Sequence, residues 1–412
     1  MRNMADVALT SKAARWANGQ ALLGVFAAAA LVWTLVGAGA QGLAFYWIMG
    51  MAFGFVFQRS RLCFTAAFRD LFLMQDGRLM RAVLAGLAIA TVGFTVVMMD
   101  LLPRTGFGSV PSGAHVSPVG IHLIAGGLLF GFGMVVAGGC VSGSLYRVGE
   151  GYVASWAAVA GMLLGLELGS HTWNWWWSFS MGGGPVLWLP NYLGYGGSVT
   201  LVLAALAALY LTVLWWESRR PPLLAWSPPR EPASAGVGAH LRSEARKVFV
   251  HGWPALAGGV ALAGLNILLF VDDHPLGVTG ELAVWADRAA GLVQLSAPPF
   301  IGEVLAGCNL VLMQGASWLT DTFFLDTGLV FGSFVAALGA REFKLRFPRE
   351  KRRYLQSVGG GVFMGYGATI AIGCTIGAFF SAIPSLSVSG WIFAAALLGG
   401  SYLGVKALRF LP

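Results

Sequence analysis

The stretch GGLLFGFGMVVAGGCVSG at residues 126–143 decides the fold of this chain, because it occurs twice. An offset of 234 residues places it on GGVFMGYGATIAIGCTIG at residues 360–377, and eight of the 18 aligned residues are identical. Six of the eight are glycines, and the other two are an alanine and a cysteine. The same offset carries residues 163–165 onto 397–399, Leu-Leu-Gly in both copies. The chain therefore contains an internal duplication.

The composition places this duplication in a membrane. The chain has 412 residues, of which 57% are hydrophobic and 11% are charged, and its mean hydropathy is +0.72. A soluble domain carries about 25% charged residues. These values predict an all-α integral membrane protein that crosses the bilayer many times and has membrane lipids as its neighbours.

The charge and the cysteines exclude several other classes. The net charge of +8 comes from 26 basic and 18 acidic residues, and the basic residues lie between apolar runs. Cytoplasmic loops explain this pattern better than nucleic-acid binding does. The four cysteines stand singly with no C-x-x-C, and the six histidines have no ligand spacing. We therefore predict no disulfide framework, no metal site, no cofactor and no catalytic residue.

The basic segments set the predicted topology. Residues 219–247 are rich in proline and arginine, and residues 341–353 read REFKLRFPREKRR. The positive-inside rule places both in the cytoplasm, together with the N- and C-termini, and predicts the inner membrane as the location. The first apolar run ends in Ala-Gly-Ala at 38–40, so a cleaved signal peptide is an open alternative to a first crossing.

The predicted organisation has five parts. Residues 1–41 form an N-terminal tail and a first crossing, and residues 42–170 form the first half of the repeat. Residues 171–218 contain an external hairpin rich in tryptophan and a connecting crossing. Residues 219–250 are a cytoplasmic linker, and residues 251–412 form the second half.

The two halves are predicted to lie in opposite orientations. The glycine-rich segment runs inward in the first half and outward in the second, and the stretch around Cys308 enters and leaves on the external face. We therefore expect about ten transmembrane helices plus re-entrant half-helices, arranged as an inverted-topology repeat. Paired broken helices of this kind form the binding sites of many transporters.

The candidate binding residues are the cysteines and their neighbours. Cys140 and Cys374 directly follow Gly139 and Gly373, which allow the chain to leave helical geometry. Cys308 precedes Asn309 in the sequence Ala-Gly-Cys-Asn. The fourth cysteine lies among arginines at position 63, as Cys63. The alternative for each is that a small buried cysteine only packs.

These motifs resemble the YeeE/YedE family of membrane proteins, which includes bacterial thiosulfate uptake proteins. The resemblance rests on GFGMVVAGGCVSGSLYRVGEG (131–151), LAGCN (305–309) and GYGATIAIGCTIGAF (365–379), and it covers most of residues 42–408. It implies an hourglass-shaped helical protein in which three cysteines, by position Cys140, Cys308 and Cys374, pass thiosulfate along by weak S–H···S contacts. It also implies a small cytoplasmic sulfur-carrier protein as a candidate partner.

The leading hypothesis is therefore uptake of a small sulfur-containing anion, most simply thiosulfate, past neutral thiols. A thiol with a pKa near 8.5 is mostly protonated at neutral pH, so it does not repel a dianion. It offers a weak donor, and a conduit must release what it binds. The alternatives are transport of another sulfur or selenium species, a membrane thiol oxidoreductase, and a sensor that moves nothing. We expect a transporter and not an enzyme.

Overall fold

The computed structural model describes residues 22–106, 108–219, 252–302 and 319–409. Within these ranges the chain is helical, with three isolated β-bridges and no β-strand. The α-helices of these ranges are, in chain order, α1 Leu22–Gly37, α2 Gln41–Ser60, α3 Phe64–Leu73, α4 Arg78–Leu101, α5 Ile121–Ala137, α6 Val141–Gly149, α7 Val153–Trp176, α8 Pro190–Ser218, α9 Ala255–Asp272, α10 Thr279–Gly291, α11 Asp321–Gly339, α12 Arg352–Ile370 and α13 Val388–Leu408. Two π-helical turns, Trp177–Met181 and Thr375–Ser381, follow α7 and α12.

The described helices confirm the all-α membrane class. Seven spans are long and apolar enough to cross a bilayer, one of them formed by α5 and α6 together. An eighth is formed by α12 and its π-helical turn, whose axes differ by 49°. The predicted number of about ten crossings stays a prediction.

The two copies of the repeat contact each other at the centre of the molecule, where α5 packs against α12. A methyl group on Gly126 would lie 2.7 Å from the carbonyl oxygen of Gly367, and one on Gly133 would lie 2.6 Å from that of Gly360. Position numbers rise along one helix as they fall along the other, so the two helices are antiparallel. Glycine is required here because the backbones leave no room for a side chain.

The long helices also pack in parallel pairs, two of which include α5 or α12 itself. The pairs are α5 with α13, α7 with α12, α2 with α11 and α4 with α9. Glycines again mark the closest approaches: a methyl group on Gly165 of α7 would lie 2.2 Å from the carbonyl oxygen of Val362 on α12. By contrast, only 22% of the apolar stretch of α8 is buried inside the protein, the lowest value among the candidate spans.

The tryptophan-rich stretch is more buried than its composition suggested. Trp173 and Trp188 are fully buried, and their ring N–H groups donate to the carbonyl oxygens of Ile301 at 3.2 Å and Ser385 at 3.0 Å. Trp175 is exposed by 59%. The first part of residues 171–218 continues α7 up to Trp176, so these rings also pack the helical core. The five-part division of the chain stays a prediction, and most of its 219–250 linker lies outside the described residues.

Candidate functional site

The first candidate cysteine lies at a break between α5 and α6. Gly138 ends α5 in the left-handed conformation, with φ of 83°, which glycine adopts without strain. Cys140 then caps the start of α6, and its sulfur accepts a hydrogen bond from the Gly143 amide at 3.4 Å. Cys140 is fully buried. The break therefore turns this sulfur into the protein and away from lipid.

The second candidate cysteine lies at the matching break after α12. Cys374 is fully buried, and its sulfur accepts from the Ile376 amide at 3.4 Å. The left-handed residue at this break is Ile372, with φ of 56°, in the position that Gly138 holds in the first copy. Gly373 follows with φ of 150°. The two breaks therefore share a residue in the left-handed conformation at this position. A β-branched residue such as Ile372 adopts that conformation only under strain.

Cys63 lies beside Cys140. It caps α3, is 2% exposed, and its thiol lies near that of Cys140. A methyl group on Gly143 would lie 3.0 Å from the Cys63 sulfur and 3.1 Å from the Cys140 sulfur. A side chain at this glycine would fill the space that both thiols border. The structure thus brings two of the four predicted cysteines together.

Thr279 takes the corresponding place beside Cys374. It is the first residue of α10, is buried, and its hydroxyl donates to the Cys374 sulfur. Sequence reasoning missed it because a hydroxyl replaces the thiol and no motif surrounds it. Its position between α9 and α11, like that of Cys63 between α2 and α4, is the signal that could have found it.

The two breaks are well separated. Gly126 on α5 is level with Ala371 at the end of α12, and Gly360 is level with Ala137 at the end of α5. Eleven residues of helix lie between these levels, which is about 16 Å at 1.5 Å per residue. The two helix ends, each followed by its cysteine, therefore lie at different levels along the helix axes. Cys308 and Asn309, the other predicted binding residues, lie outside the described residues.

Arginines surround the first break. Arg147 donates to the carbonyl oxygen of Gly138, and Arg353 donates to those of Val136 at 3.4 Å and Ala137 at 3.2 Å. These carbonyls end α5 and have no partner within the helix, so cations stabilise them. Gly139 borders one of the two guanidinium groups: a methyl group on it would lie 3.4 Å from Arg147. We call this side of the molecule the arginine end.

A partly buried ionic network closes the arginine end. Glu342 accepts from Gln58 at 2.7 Å and Arg61 at 2.9 Å and also pairs with Arg59, while Arg61 pairs with Glu150 at 2.9 Å. Partial burial raises the pKa of Glu342, but the Gln58 hydrogen bond and the charges of Arg61 and Arg59 outweigh it, so the pKa lies below its usual value. The network ties α2, the end of α6 and the loop after α11 together.

The second break has no arginine beside it among the described residues. A methyl group on Gly373 would lie 3.3 Å from the ring of His115. Burial lowers the pKa of His115 to about 4, so the ring is neutral at physiological pH. The Nε2 atom of His115 and the hydroxyl of Thr375 are buried without a hydrogen-bond partner in the described part of the chain. This side, the neutral end, offers polar groups without positive charge.

Comparison with known proteins agrees with this architecture. A family model described as sulphur transport matches residues 59–403. The chain belongs to this sulphur transport family. The thiosulfate transporter TsuA of Spirochaeta thermophila is 30% identical over 380 residues, which cover 86% of this chain and 96% of that protein. TsuA of Escherichia coli is 31% identical, covering 84% of this chain and 88% of that protein.

A second group of relatives matches about half of the chain. The probable transporter YedE of Salmonella typhimurium is 31% identical over 180 residues, which cover 42% of this chain and 40% of that protein. Family membership confirms the resemblance stated from the motifs and makes this a multi-pass membrane transport protein and not an enzyme. The roles of the individual cysteines stay predictions.

Proposed function

We propose that this protein takes up thiosulfate across a cytoplasmic membrane, with neutral thiols at the two helix breaks as successive contact points. The observation that carries the proposal is the pair of fully buried cysteines, Cys140 and Cys374, each held at a break by a backbone amide. Thiols are weak, uncharged donors, which suit the soft terminal sulfur of thiosulfate and permit its release. Relatives named thiosulfate transporters support this substrate.

The antiparallel contact of α5 and α12 supports an inverted repeat. Gly126 and Gly133 correspond in the repeat to Gly360 and Gly367, and the contacts join Gly126 to Gly367 and Gly133 to Gly360. Such reciprocal contacts are those of a two-fold axis. With α5 inward and α12 outward, the breaks lie at opposite depths of the bilayer. In this arrangement the substrate meets Cys374 on one side and Cys140 on the other.

The positive-inside rule orients the molecule. The arginine end adjoins the basic segment 341–353, so we assign it to the cytoplasm and the neutral end to the outside. A dianion then meets the uncharged thiol of Cys374 before it leaves towards positive charge. The separation of about 16 Å between the breaks requires an intermediate contact. Cys308 is the residue that the sequence resemblance offers for it, and a cytoplasmic sulfur carrier is the expected acceptor.

Uptake of radiolabelled thiosulfate into cells that lack other thiosulfate transporters tests this function. We expect Cys140→Ala and Cys374→Ala each to lower the initial rate about tenfold or more, equivalent to about 1.4 kcal/mol. Ser401→Ala is the matched control, because Ser401 is buried on α13 and bonds only within its helix, to Leu397 at 2.7 Å. It is expected to transport normally.

Two results would contradict the proposal in different ways. Normal uptake by both cysteine variants would remove the thiol contacts but leave the substrate. Failure of the wild-type protein to take up thiosulfate, together with uptake of labelled sulfite or selenite, would replace the substrate. Membrane levels of each variant are measured by immunoblot, so that a folding defect is not taken for a transport defect.

A further inference from the structure

Two buried carboxyl groups lie near the second break and have no role in the pathway described so far. Glu281 on α10 and Asp326 on α11 are both fully buried. Glu281 accepts through one oxygen from the hydroxyls of Thr320 at 2.5 Å and Thr322 at 3.0 Å. Its other oxygen, and both oxygens of Asp326, have no hydrogen-bond partner in the described part of the chain.

The surroundings of Asp326 contain no compensating cation among the described residues. The charged group that interacts with it is Glu281, a second acid, and Asp326 in turn interacts with the Cys374 thiol. The other titratable groups at this end of α11 are mainly acidic: Asp321 at its first turn, Asp272 and Asp273 after α9, Tyr46 on α2, and His274. The arginines of the network lie at the opposite end of the molecule.

Elementary electrostatics then fixes the state of the pair. A buried carboxylate without a cation or hydrogen-bond donors is far less stable than its neutral form, and a neighbouring carboxylate adds repulsion. At least one proton therefore resides on this pair.

We propose that Asp326 and Glu281 form a proton-binding site that couples proton entry to anion uptake. The inference rests on the proposed function and adds its driving force. An anion beside Cys374 is repelled by an ionised pair and accepted by a protonated one, so anion and protons bind together at the neutral end. By linkage the anion equally raises the affinity of the pair for protons. Once the anion has left towards the arginine end, the protons follow it into the cytoplasm.

The energetics of uptake explain why such a site is useful. Entry of a dianion into a compartment of negative potential is opposed twice over, once for each charge. Each proton that accompanies the anion removes one unit from the charge that crosses the membrane. Two protons make the event neutral, and the structure offers two carboxyl groups.

The test uses the full-length protein in liposomes with the membrane potential clamped at zero. Lowering the pH outside the liposomes by about one unit is expected to drive accumulation of labelled thiosulfate inside them. The expected accumulation is about tenfold for one coupled proton and about 100-fold for two. Asp326→Asn, which imitates the protonated group, is expected to abolish this accumulation while retaining exchange of labelled for unlabelled thiosulfate. Glu281→Gln is expected to reduce the accumulation ratio about tenfold and not to abolish it, because Asp326, the carboxyl group of the pair that interacts with the Cys374 thiol, still couples one proton.

Glu167→Gln is the matched control. Glu167 is also a carboxyl group in a membrane helix whose oxygens are buried without a hydrogen bond in the described part of the chain, but it lies on α7, 3.3 Å from the His171 ring. It is expected to behave as wild type in both assays. A trapped pH dye gives a second readout: thiosulfate added without a gradient should carry protons into wild-type vesicles and not into Asp326→Asn vesicles. If Asp326→Asn does not fold, Glu281→Gln and the wild-type dye signal decide the question.

The outcomes distinguish a failure of proton coupling from a failure of the proposed thiosulfate transport. Wild-type exchange that ignores the acid step, with no dye signal, overturns proton coupling and leaves the proposed function intact. Absence of any thiosulfate exchange by folded wild-type protein overturns the proposed function itself. A gradient response that survives in Asp326→Asn moves the proton site elsewhere.

Discussion

The breaks at Cys140 and Cys374 share a backbone and differ in chemistry. At each, a helix ends in a left-handed residue and a buried cysteine accepts a hydrogen bond from an amide of the next turn. The first cysteine has a thiol partner and arginines on the adjoining carbonyls, whereas the second has a hydroxyl partner with a neutral histidine nearby. Duplication has preserved the geometry while the two ends have acquired different charge.

In the proposed pathway, this difference gives transport a direction. A symmetric conduit would bind an anion equally at both ends, whereas a neutral entrance and a positive exit favour movement towards the exit. The helix packing, however, must be the same in both copies for the breaks to match. Shared packing and divergent chemistry therefore make separate predictions.

The largest effect is expected at the shared packing. Gly126→Val and Gly360→Val place side chains where a single methyl group would already lie 2.7 Å from Gly367 and 2.5 Å from Ala137, respectively. Each is expected to cost about 1–3 kcal/mol or more of stability through overpacking. The two costs should be similar because the positions are equivalent. Thermal unfolding of the purified variants measures both.

Gly359→Val supplies the control for that experiment. It is adjacent to Gly360 on the same helix, but a methyl group there would contact nothing within 4 Å. It should therefore unfold close to the wild-type temperature. A normal melting temperature for Gly126→Val together with a low one for Gly360→Val would show that the two copies do not share one interface.

The next effect concerns the partners of the two cysteines. Treatment with diamide is expected to link Cys63 to Cys140 in the wild-type protein, because both sulfurs border the same space beside Gly143. Cys374 lies beside the hydroxyl of Thr279, which cannot form a disulfide. We therefore expect Cys374 to form a link only in the Thr279→Cys variant, which supplies the second thiol. Peptide mapping without reductant identifies each pair. A Cys63–Cys374 link in the wild-type protein would contradict the separation of the two breaks.

A smaller effect is expected from the arginines at the first break. Arg353→Gln removes the cation from the carbonyls of Val136 and Ala137 and should lower stability by about 0.3–1 kcal/mol, the usual value for a charge at a helix end. Arg352→Gln, on the exposed neighbour, is the control and should be neutral. Because the reason is electrostatic, the difference between these variants should shrink as salt is added.

Much of this comparison could be predicted from the sequence, and the reasons are physical. Close helix contacts require glycine. The matching spacing of Gly126 and Gly133 with Gly360 and Gly367 therefore indicated the repeat and the positions of its helix contacts. Apolar composition gave the all-helical membrane class. The Gly-Cys pairs predicted both breaks, since glycine allows the chain to leave helical geometry.

Other features leave no local pattern. Thr279 lies more than 90 residues before Cys374, and its hydroxyl matches no motif. Ile372 adopts a left-handed conformation that its residue type disfavours, and only its fully buried surroundings hold it there. Arg353 reaches the end of α5 from another helix. These contacts depend on tertiary structure, and a single sequence does not show which distant residues meet.

The smallest effect is expected from the ionic network of the arginine end under acid. The pKa of Glu342 in the folded protein is below its usual value of about 4.3, so its ionised form stabilises the fold at higher pH and this contribution is lost as pH falls through the folded pKa. Glu342→Gln should therefore be slightly less stable than wild type at pH 7, by under about 1 kcal/mol because the side chain is 36% exposed and screened by solvent. The two melting temperatures should converge as pH falls from about 5 to about 3.

Glu350→Gln, in the same loop but exposed and without an ion pair in the described residues, should follow the wild-type curve throughout. A constant gap between Glu342→Gln and wild type across this range would show that Glu342 acts through packing and not through its charge.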